Sequence, residues 1–238
     1  MEKQEKIVQM FNDIAPTYDL ANRVLSMGAD VSWRKIACKT VLSNFKDSSV
    51  NIADIACGTG DMMGFWQKTA GEFNVKIENL IGVDPSSGML AVAKQKFPEF
   101  KFIEALATQT TLDSGSVDVL SISYGIRNVV EREAALKEFN RVLKMGGYVV
   151  VLKFTKRKKS GILTGARDFY LGKILPKIGG FISKNQEAYE YLPSSIEGFL
   201  DTKSFADELA SAGFEMRLCK SFSMDISTLF IVQKAREC

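Results

Sequence analysis

Asn51-Ile52-Ala53-Asp54-Ile55-Ala56-Cys57 is a short apolar run that passes directly into Gly58-Thr59-Gly60-Asp61. That junction constrains the fold more than any other stretch of the chain. A buried strand that turns at once into a helix needs residues without a Cβ at the turn, where a ligand can also approach the backbone. The helix behind it, Met62 to Lys68, offers free N–H groups at its start. In a doubly wound α/β sheet this is the crevice where nucleotides bind, beyond the carboxyl ends of the strands. Turns also use glycine for structure alone, so the pair Gly58 and Gly60 supports both readings. A second strand, Leu80-Ile81-Gly82-Val83-Asp84, ends in an acid. Its spacing from the glycines is close to the roughly 20 residues expected of a carboxylate that accepts hydrogen bonds from ribose hydroxyls.

The alternation continues in both directions. Pro85-Ser86-Ser87-Gly88 turns into a helix from Met89 to Phe97, with Ser86 or Ser87 as its N-cap. Lys101-Phe102-Ile103 reads as a third strand and Val117 to Ser123 as a fourth. A helix from Glu131 to Leu143 is expected to stop at Met145-Gly146-Gly147, ahead of a fifth strand, Tyr148 to Leu152. A helix from Thr202 to Ala212, a Gly213 stop and strands at Phe214–Leu218 and Ser227–Val232 complete the pattern. Strands alternating with helices predict a parallel sheet covered on both faces. Upstream, Ile7 to Phe11, Val24-Leu25 and Val41-Leu42 show helical spacing, broken at Ala15-Pro16-Thr17.

Composition removes several functions. The chain contains no histidine, so neither a Ser-His-Asp or Cys-His nucleophile nor a histidine metal site can be built. The cysteines at 38, 57, 219 and 238 show no CxxC pair and no metal spacing, which fits reduced thiols in a cytosol and predicts no metal. A net charge of +3 is too mild to argue for nucleic acid. No apolar run approaches the roughly 18 to 20 residues of a membrane-spanning helix, and the charged start, Met1 to Lys6, lacks the apolar stretch of a secretory signal. A chain of 238 residues is expected to form one sizeable domain.

Two nucleotide classes compete for the glycine loop. A dinucleotide site wants GxGxxG, but Met63 stands where the third glycine belongs, and Asp61 would set negative charge beside a pyrophosphate. Asp54 adds a second acid just ahead of the loop. These acids suit a ligand carrying an ammonium and a sulfonium, which is S-adenosylmethionine. Asp54 could equally cap backbone N–H groups of the loop, and Asp61 could cap the helix that follows.

Ile52 to Asp61 resembles the first motif of class I S-adenosylmethionine-dependent methyltransferases. More specifically, nearly everything from Met10 to Gln233 is similar to the demethylmenaquinone / polyprenyl-benzoquinol C-methyltransferase family of quinone biosynthesis. The pieces that carry the resemblance are Phe11 to Ser26, leading to Trp33, then Tyr124-Gly125-Ile126-Arg127-Asn128-Val129, and Tyr189-Glu190-Tyr191-Leu192-Pro193-Ser194-Ser195-Ile196. Arg141 to Gly147 is shared by many class I methyltransferases and adds less.

The resemblance implies a Rossmann-like α/β fold, with a mostly parallel seven-stranded sheet, helices on both faces and a helical cover. It implies one methyltransferase domain over 1–238, with 1–45 as a lid and 156–200 as a substrate cover. By position it gives Tyr18, Thr59, Asp84 and Ser123 to the donor site, beside Asp54, Gly58 and Gly60, and it brings Ala107 to the adenine side. Leu106 stands where the family has a hydrogen-bonding asparagine, and Lys153 where it has a glutamate, near the substrate side. Arg127 and Asn128 are the expected catalytic residues. Methylating a hydroquinone carbon needs a neighbouring phenolate, which a guanidinium can stabilise but is too weak a base to generate. Arg127 could otherwise pair with Glu131 and only fix its loop. The implied partners are a polyprenylated quinol and the surface of a bilayer, met from the cytoplasmic side. The basic run Lys156 to Lys159 with the apolar residues after it is a candidate contact, or simply a solvated charge run. Nucleic acid is not expected, and pairing with a second copy is left open. A methyltransferase for another small aromatic or isoprenoid acceptor, or a silent partner in a quinone-making assembly, are the competing readings.

Overall fold

A seven-stranded sheet organises the chain. The computed structural model describes residues 2–155, 185–223 and 225–235. The strands are β1 (Ser49–Ile55), β2 (Lys76–Asp84), β3 (Lys101–Glu104), β4 (Val117–Ser123), β5 (Leu143–Phe154), β6 (Phe214–Phe222) and β7 (Ser227–Lys234). They lie in the order β3-β2-β1-β4-β5-β7-β6. β1 pairs in parallel with β2 on one side and β4 on the other, and β7 runs antiparallel to both of its neighbours. The chain therefore reverses its direction of travel across the sheet at the β1–β4 pair, which opens a crevice above the strand ends there.

Strand parity sorts the core into two layers. Ile52, Val119, Val150 and Leu152 face α3 (Ala29–Leu42) and α4 (Asp61–Ala70), packing with Trp33, Val41, Met63 and Trp66. Ala53, Ile55, Leu120, Ile122 and Val151 face α6 (Arg132–Val142) and α8 (Thr202–Ser211), meeting Leu136, Phe139, Phe205 and Leu209. Each of these larger side chains contributes about 1.5–3 kcal/mol by leaving water. A third, smaller cluster joins α1 (Glu2–Ile14) and α2 (Tyr18–Leu25) to Met89 of α5 (Ser87–Lys96) and Ala188 of α7 (Gln186–Glu197). Ser86, not Ser87, caps α5, accepting from the Met89 N–H at 3.1 Å.

Two expectations change, and a third falls outside the described residues. α6 ends at Val142 and β5 begins at Leu143, before the glycines rather than after them. Val117 pairs with Leu143 and Val119 with Tyr148, so the extra residues around Gly146, at φ +75°, form a bulge inside one long strand. Lys153 points into the core and does not line the crevice. Parity turns it to the α8 layer, where its Nζ donates to the Leu200 carbonyl at 3.1 Å and stands 4.9, 5.6 and 5.7 Å from the rings of Phe199, Phe205 and Phe230. The basic run Lys156 to Lys159 and most of the expected cover lie outside the described residues, and α7 is the part of 156–200 that is placed.

Lys153 is 2% exposed, and burial holds its ammonium down at about pKa 8 against 10.5 unperturbed. Between those values the unfolded chain binds more protons, so the charged lysine costs stability below pH 8 and that cost is relieved as pH rises to 10.5. The parent is expected to gain about 1–2 kcal/mol on Lys153→Met between pH 7 and 10.5, read by urea unfolding at both. A stability difference that stays flat over this range would mean that Lys153 is not held depressed.

Candidate active site

A cavity of about 560 Å³ fills the crevice. Gly58, Asp84 and Ser123 form its inner wall, Glu104 to Thr108 one side, and Ile7, Val8 and Phe11 of α1 close it from above. The two strand exits are strained into shape. Ala56 and Tyr124, each the first residue past its strand, hold φ +50° and +61°, conformations that residues with a Cβ adopt at a cost. In the loop between, Gly60 sits at φ +83°, and a Cβ there would meet the Phe97 ring at 3.0 Å.

Asp84 ties the wall together. Its carboxylate accepts from the Gly58 N–H and the Ser86 N–H, each at 2.8 Å, and burial nevertheless raises it to about pKa 6. Asn12 of α1 accepts from Ser86 Oγ at 2.7 Å and from the Gly88 N–H at 2.9 Å, so the roof is bonded to the start of α5. α2 is clamped as well. Asp19 accepts from Thr59 Oγ1 and pairs with Lys96 at 2.7 Å, while Asp61 pairs with Lys96 and with Arg23 at 3.2 Å. Burial raises the Tyr18 phenol above its ordinary value where it lines the cavity.

Of the residues expected at the donor site, Tyr18, Gly58, Asp84, Ala107 and Ser123 line the cavity, as does the expected catalytic Asn128, with Glu104 and Leu106 beside Ala107. Asp54, Thr59 and Gly60 do not. Asp54 shares the parity of Ile52, so its carboxyl lies beneath the sheet's α4 layer. There it accepts from Ser121 Oγ at 2.6 Å, itself bonded by the Trp66 indole at 2.9 Å, and burial lifts it to about pKa 7. Thr59 spends its hydroxyl on Asp19. Asp61 does not cap α4 with its side chain, and its cations hold its carboxyl below the usual range despite burial. The acids that do reach the cavity are Glu5, Asp84, Glu104 and Glu131, and no lysine or arginine joins them among the described residues.

Arg127 stands in a 3-10 turn, Ile126–Asn128, just past β4. Its Nη1 donates to the Tyr124 carbonyl and its Nε to Ser195 Oγ at 3.2 Å, while the Tyr191 hydroxyl donates to Asn128 Oδ1 at 3.3 Å. Two segments some sixty residues apart in sequence thus meet at one place. Among the described residues no carboxylate lies within ion-pair distance of Arg127, so the alternative in which it pairs with Glu131 is not what the structure shows. Burial pulls the guanidinium below its ordinary pKa, as expected for a cation short of counter-charge. Arg34 is the residue that the sequence reading missed. It is buried on α3, pairs with Asp30, and its guanidinium carbon lies 5.4 Å from the Tyr124 ring centroid. An arginine four residues after an aspartate reads as an ordinary surface pair, and nothing in the local sequence marks it as buried.

Sheet order, glycine loop and acid-lined crevice together define a class I S-adenosylmethionine-dependent methyltransferase. The same fold occurs in a solved S-adenosylmethionine-dependent methyltransferase from Aquifex aeolicus, with a TM-score of 0.58 at 14% identity, covering 83% of this chain and 89% of that one. The chain belongs to the ubiE/COQ5 methyltransferase family, whose model matches residues 1–234. It is 62% identical to the ubiquinone/menaquinone biosynthesis C-methyltransferase UbiE of Campylobacter jejuni, over 98% of this chain and all of that protein. It is 33% identical to a demethylmenaquinone methyltransferase of Chlorobaculum tepidum, over 98% of this chain and 94% of the other. A demethylmenaquinone methyltransferase of Thermus thermophilus is 39% identical over 87% of this chain and 92% of its own length.

The cavity fits the donor of that family. A lining with four carboxylates and no cation favours a ligand bearing an ammonium and a sulfonium and disfavours a pyrophosphate. The Asp84 carboxylate keeps lone pairs beyond its two backbone bonds for ribose hydroxyls. Asp84→Ala is expected to weaken S-adenosylmethionine binding by roughly 1.5 to 3 kcal/mol, the worth of hydrogen bonds to a charged group. Unchanged affinity in calorimetry would remove Asp84 from the donor site.

Proposed function

We propose that this chain transfers a methyl group from S-adenosylmethionine to a ring carbon of a polyprenylated quinol, most simply demethylmenaquinol to menaquinol. The observation that carries the reading is Arg127, a part-buried cation without an acid partner among the described residues, set beside the cavity by contacts from α7. Such a group is suited to an acceptor that becomes an anion. Tyr18, Gly58, Asp84, Ala107 and Ser123 hold the donor, with Gly60 and Thr59 shaping the loop behind them and Asp54 bracing the strand. Residues 1–45 act as lid over one methyltransferase domain.

Bound there, the donor supplies an electrophilic methyl group and leaves as a neutral thioether. Arg127 stabilises the phenolate beside the target carbon, raising the electron density of that carbon. Asn128, held by Tyr191, fixes the oxygen from the other side of the turn. The ring carbon that gains the methyl group then loses its hydrogen as a proton to water or a cavity carboxylate, and aromaticity returns. α1 and the Tyr18 ring exclude bulk water from the cavity.

A polyprenyl tail resides in a bilayer, so the enzyme meets its acceptor from the cytoplasmic face as a peripheral protein. No helix among the described residues is long and apolar enough to cross a membrane. Against a silent-partner role, Lys153, one of the two departures that suggested it, does not line the cavity, and beside Leu106, the other, the lining still carries Glu104 and Asp84.

The acceptor must be reduced. Methylation of the quinol under reductant and almost none of the quinone is the expected result by mass analysis with labelled donor, and equal labelling of both would refute a phenolate mechanism. Arg127→Lys keeps charge but not the planar fork, and should lose about 10²-fold in rate at neutral pH. That deficit should shrink as pH approaches the phenolic pKa of the quinol, while donor affinity stays near the parent's. A deficit independent of pH would leave Arg127 as a positioning group.

A further inference from the structure

The two strands that carry the halves of the site part company before they reach it. β1 and β4 stay in register as far as Asp54 with Ser121, and their register goes no further. Each exit then bonds away from the other, the Cys57 N–H to the Val83 carbonyl at 3.2 Å and the Tyr124 N–H to the Leu152 carbonyl at 2.7 Å. Ala56 and Gly125 meet across the gap. A Cβ on Gly125 would stand 2.5 Å from the Ala56 Cβ and 3.3 Å from Ile122 Cγ1. The first separation is far inside the optimum of about 3.5–4.0 Å for two carbons. Backbone freedom is not what the glycine supplies, because φ −84° and ψ −31° lie in the right-handed helical region open to any residue. The missing side chain serves closeness alone.

That closeness joins the two functional loops. Ala56 stands two residues before Gly58 of the donor loop, and both line the cavity. Gly125 lines it too and opens the turn Ile126–Asn128. Its carbonyl accepts from the Asn128 N–H at 2.9 Å, and the carbonyl before it, that of Tyr124, accepts from Arg127 Nη1. A shift of Gly125 is therefore handed on to both expected catalytic side chains. Ala56 and Tyr124 hold positive φ on either side of the gap, so each exit is already bent at a cost, and the contact is where the two bends come together.

We propose that Gly125 is a positioning residue whose bare Cα, set against the Ala56 methyl, fixes the distance between the donor loop and the Arg127–Asn128 turn. This rests on the methyl-transfer reading above and adds to it the element that gauges the gap the methyl group crosses. A methyl group on Gly125 would part the exits by about 1 Å to reach ordinary carbon contact. A misplacement of that size costs about 10²-fold in rate. The Ile122 contact adds little, since a side chain can give by a few tenths of an ångström.

The test is a double-mutant cycle of Gly125→Ala and Ala56→Gly, read with a short-chain prenylated 1,4-naphthalenediol under reductant. Gly125→Ala should lose about 10²-fold in kcat in the parent and less than about threefold in the Ala56→Gly background, where the opposing methyl is gone. Donor affinity by calorimetry and melting temperature should stay near those of each background, so the loss falls on kcat rather than on binding. Equal loss in both backgrounds, or none in the parent, overturns the gauge, as does a loss that travels with donor affinity. Should Gly125→Ala not fold, the double variant decides: folded and active supports the contact, while unfolded or inactive overturns it. Crystal structures read the spacing with no acceptor present, and Gly125→Ala should widen it by about 1 Å and the double variant restore it. An unchanged spacing in Gly125→Ala overturns the proposal. A parent that leaves the diol unmethylated overturns the quinol reading, and the crystal spacing then still decides the gauge.

Discussion

The Asp84 carboxylate, shared between the N–H groups of Gly58 and Ser86, is the interaction on which the site depends. It fastens the loop after β1 to the turn after β2, across the parallel pair that begins the crevice. Without it two backbone donors would face the cavity unpaired, and the start of α5 would lose its fixed relation to the glycine loop. Asn12 then reads that same turn from above, so the roof helix α1 is registered to the wall through one short chain of hydrogen bonds. The clamp on α2 repeats the logic with charge, Lys96 standing between Asp19 of α2 and Asp61 of the loop helix. The N-terminal helices and the wall are thus parts of one bonded assembly.

The sheet was legible because its strands announce themselves. Val117 to Ser123 and Tyr148 to Leu152 are β-branched runs between turn residues, and a parallel sheet buried on both faces requires that texture. The start of β5 was not legible, since Met145-Gly146-Gly147 has the composition of a helix stop and only pairing with β4 shows that the glycines form a bulge instead. Gly58, Asp84 and Ser123, expected at the donor site, line the cavity because topology puts strand ends at the crevice.

Side-chain direction was where the reading of the sequence fell short, and parity explains it. Asp54 and Lys153 each sit one residue from a position that would point elsewhere, and a period of two turns that into the opposite layer. Asp54 shares a face with Ile52 and goes to Trp66, and Lys153 shares one with Val151 and goes to Phe205. The charge argument survived through other acids. Arg34 lay beyond reach for a different reason: its environment is assembled from α3, the exit of β4 and the paired ring of Phe154, segments with no adjacency in the chain.

The buried carboxyls give this histidine-free chain a proton chemistry near neutrality. Asp54 at about 7 and Asp84 at about 6 both stand above the 3.8 of an unstructured aspartate, mainly through burial. Folded molecules therefore hold protons that unfolded ones release between pH 4 and 7, and stability falls as pH rises through that window. Unfolding near pH 6 is a deprotonation as well as a loss of structure. The heat measured for it must include the ionisation enthalpy of whichever buffer takes up those protons, so the same transition in phosphate and in an amine buffer carries two different apparent enthalpies.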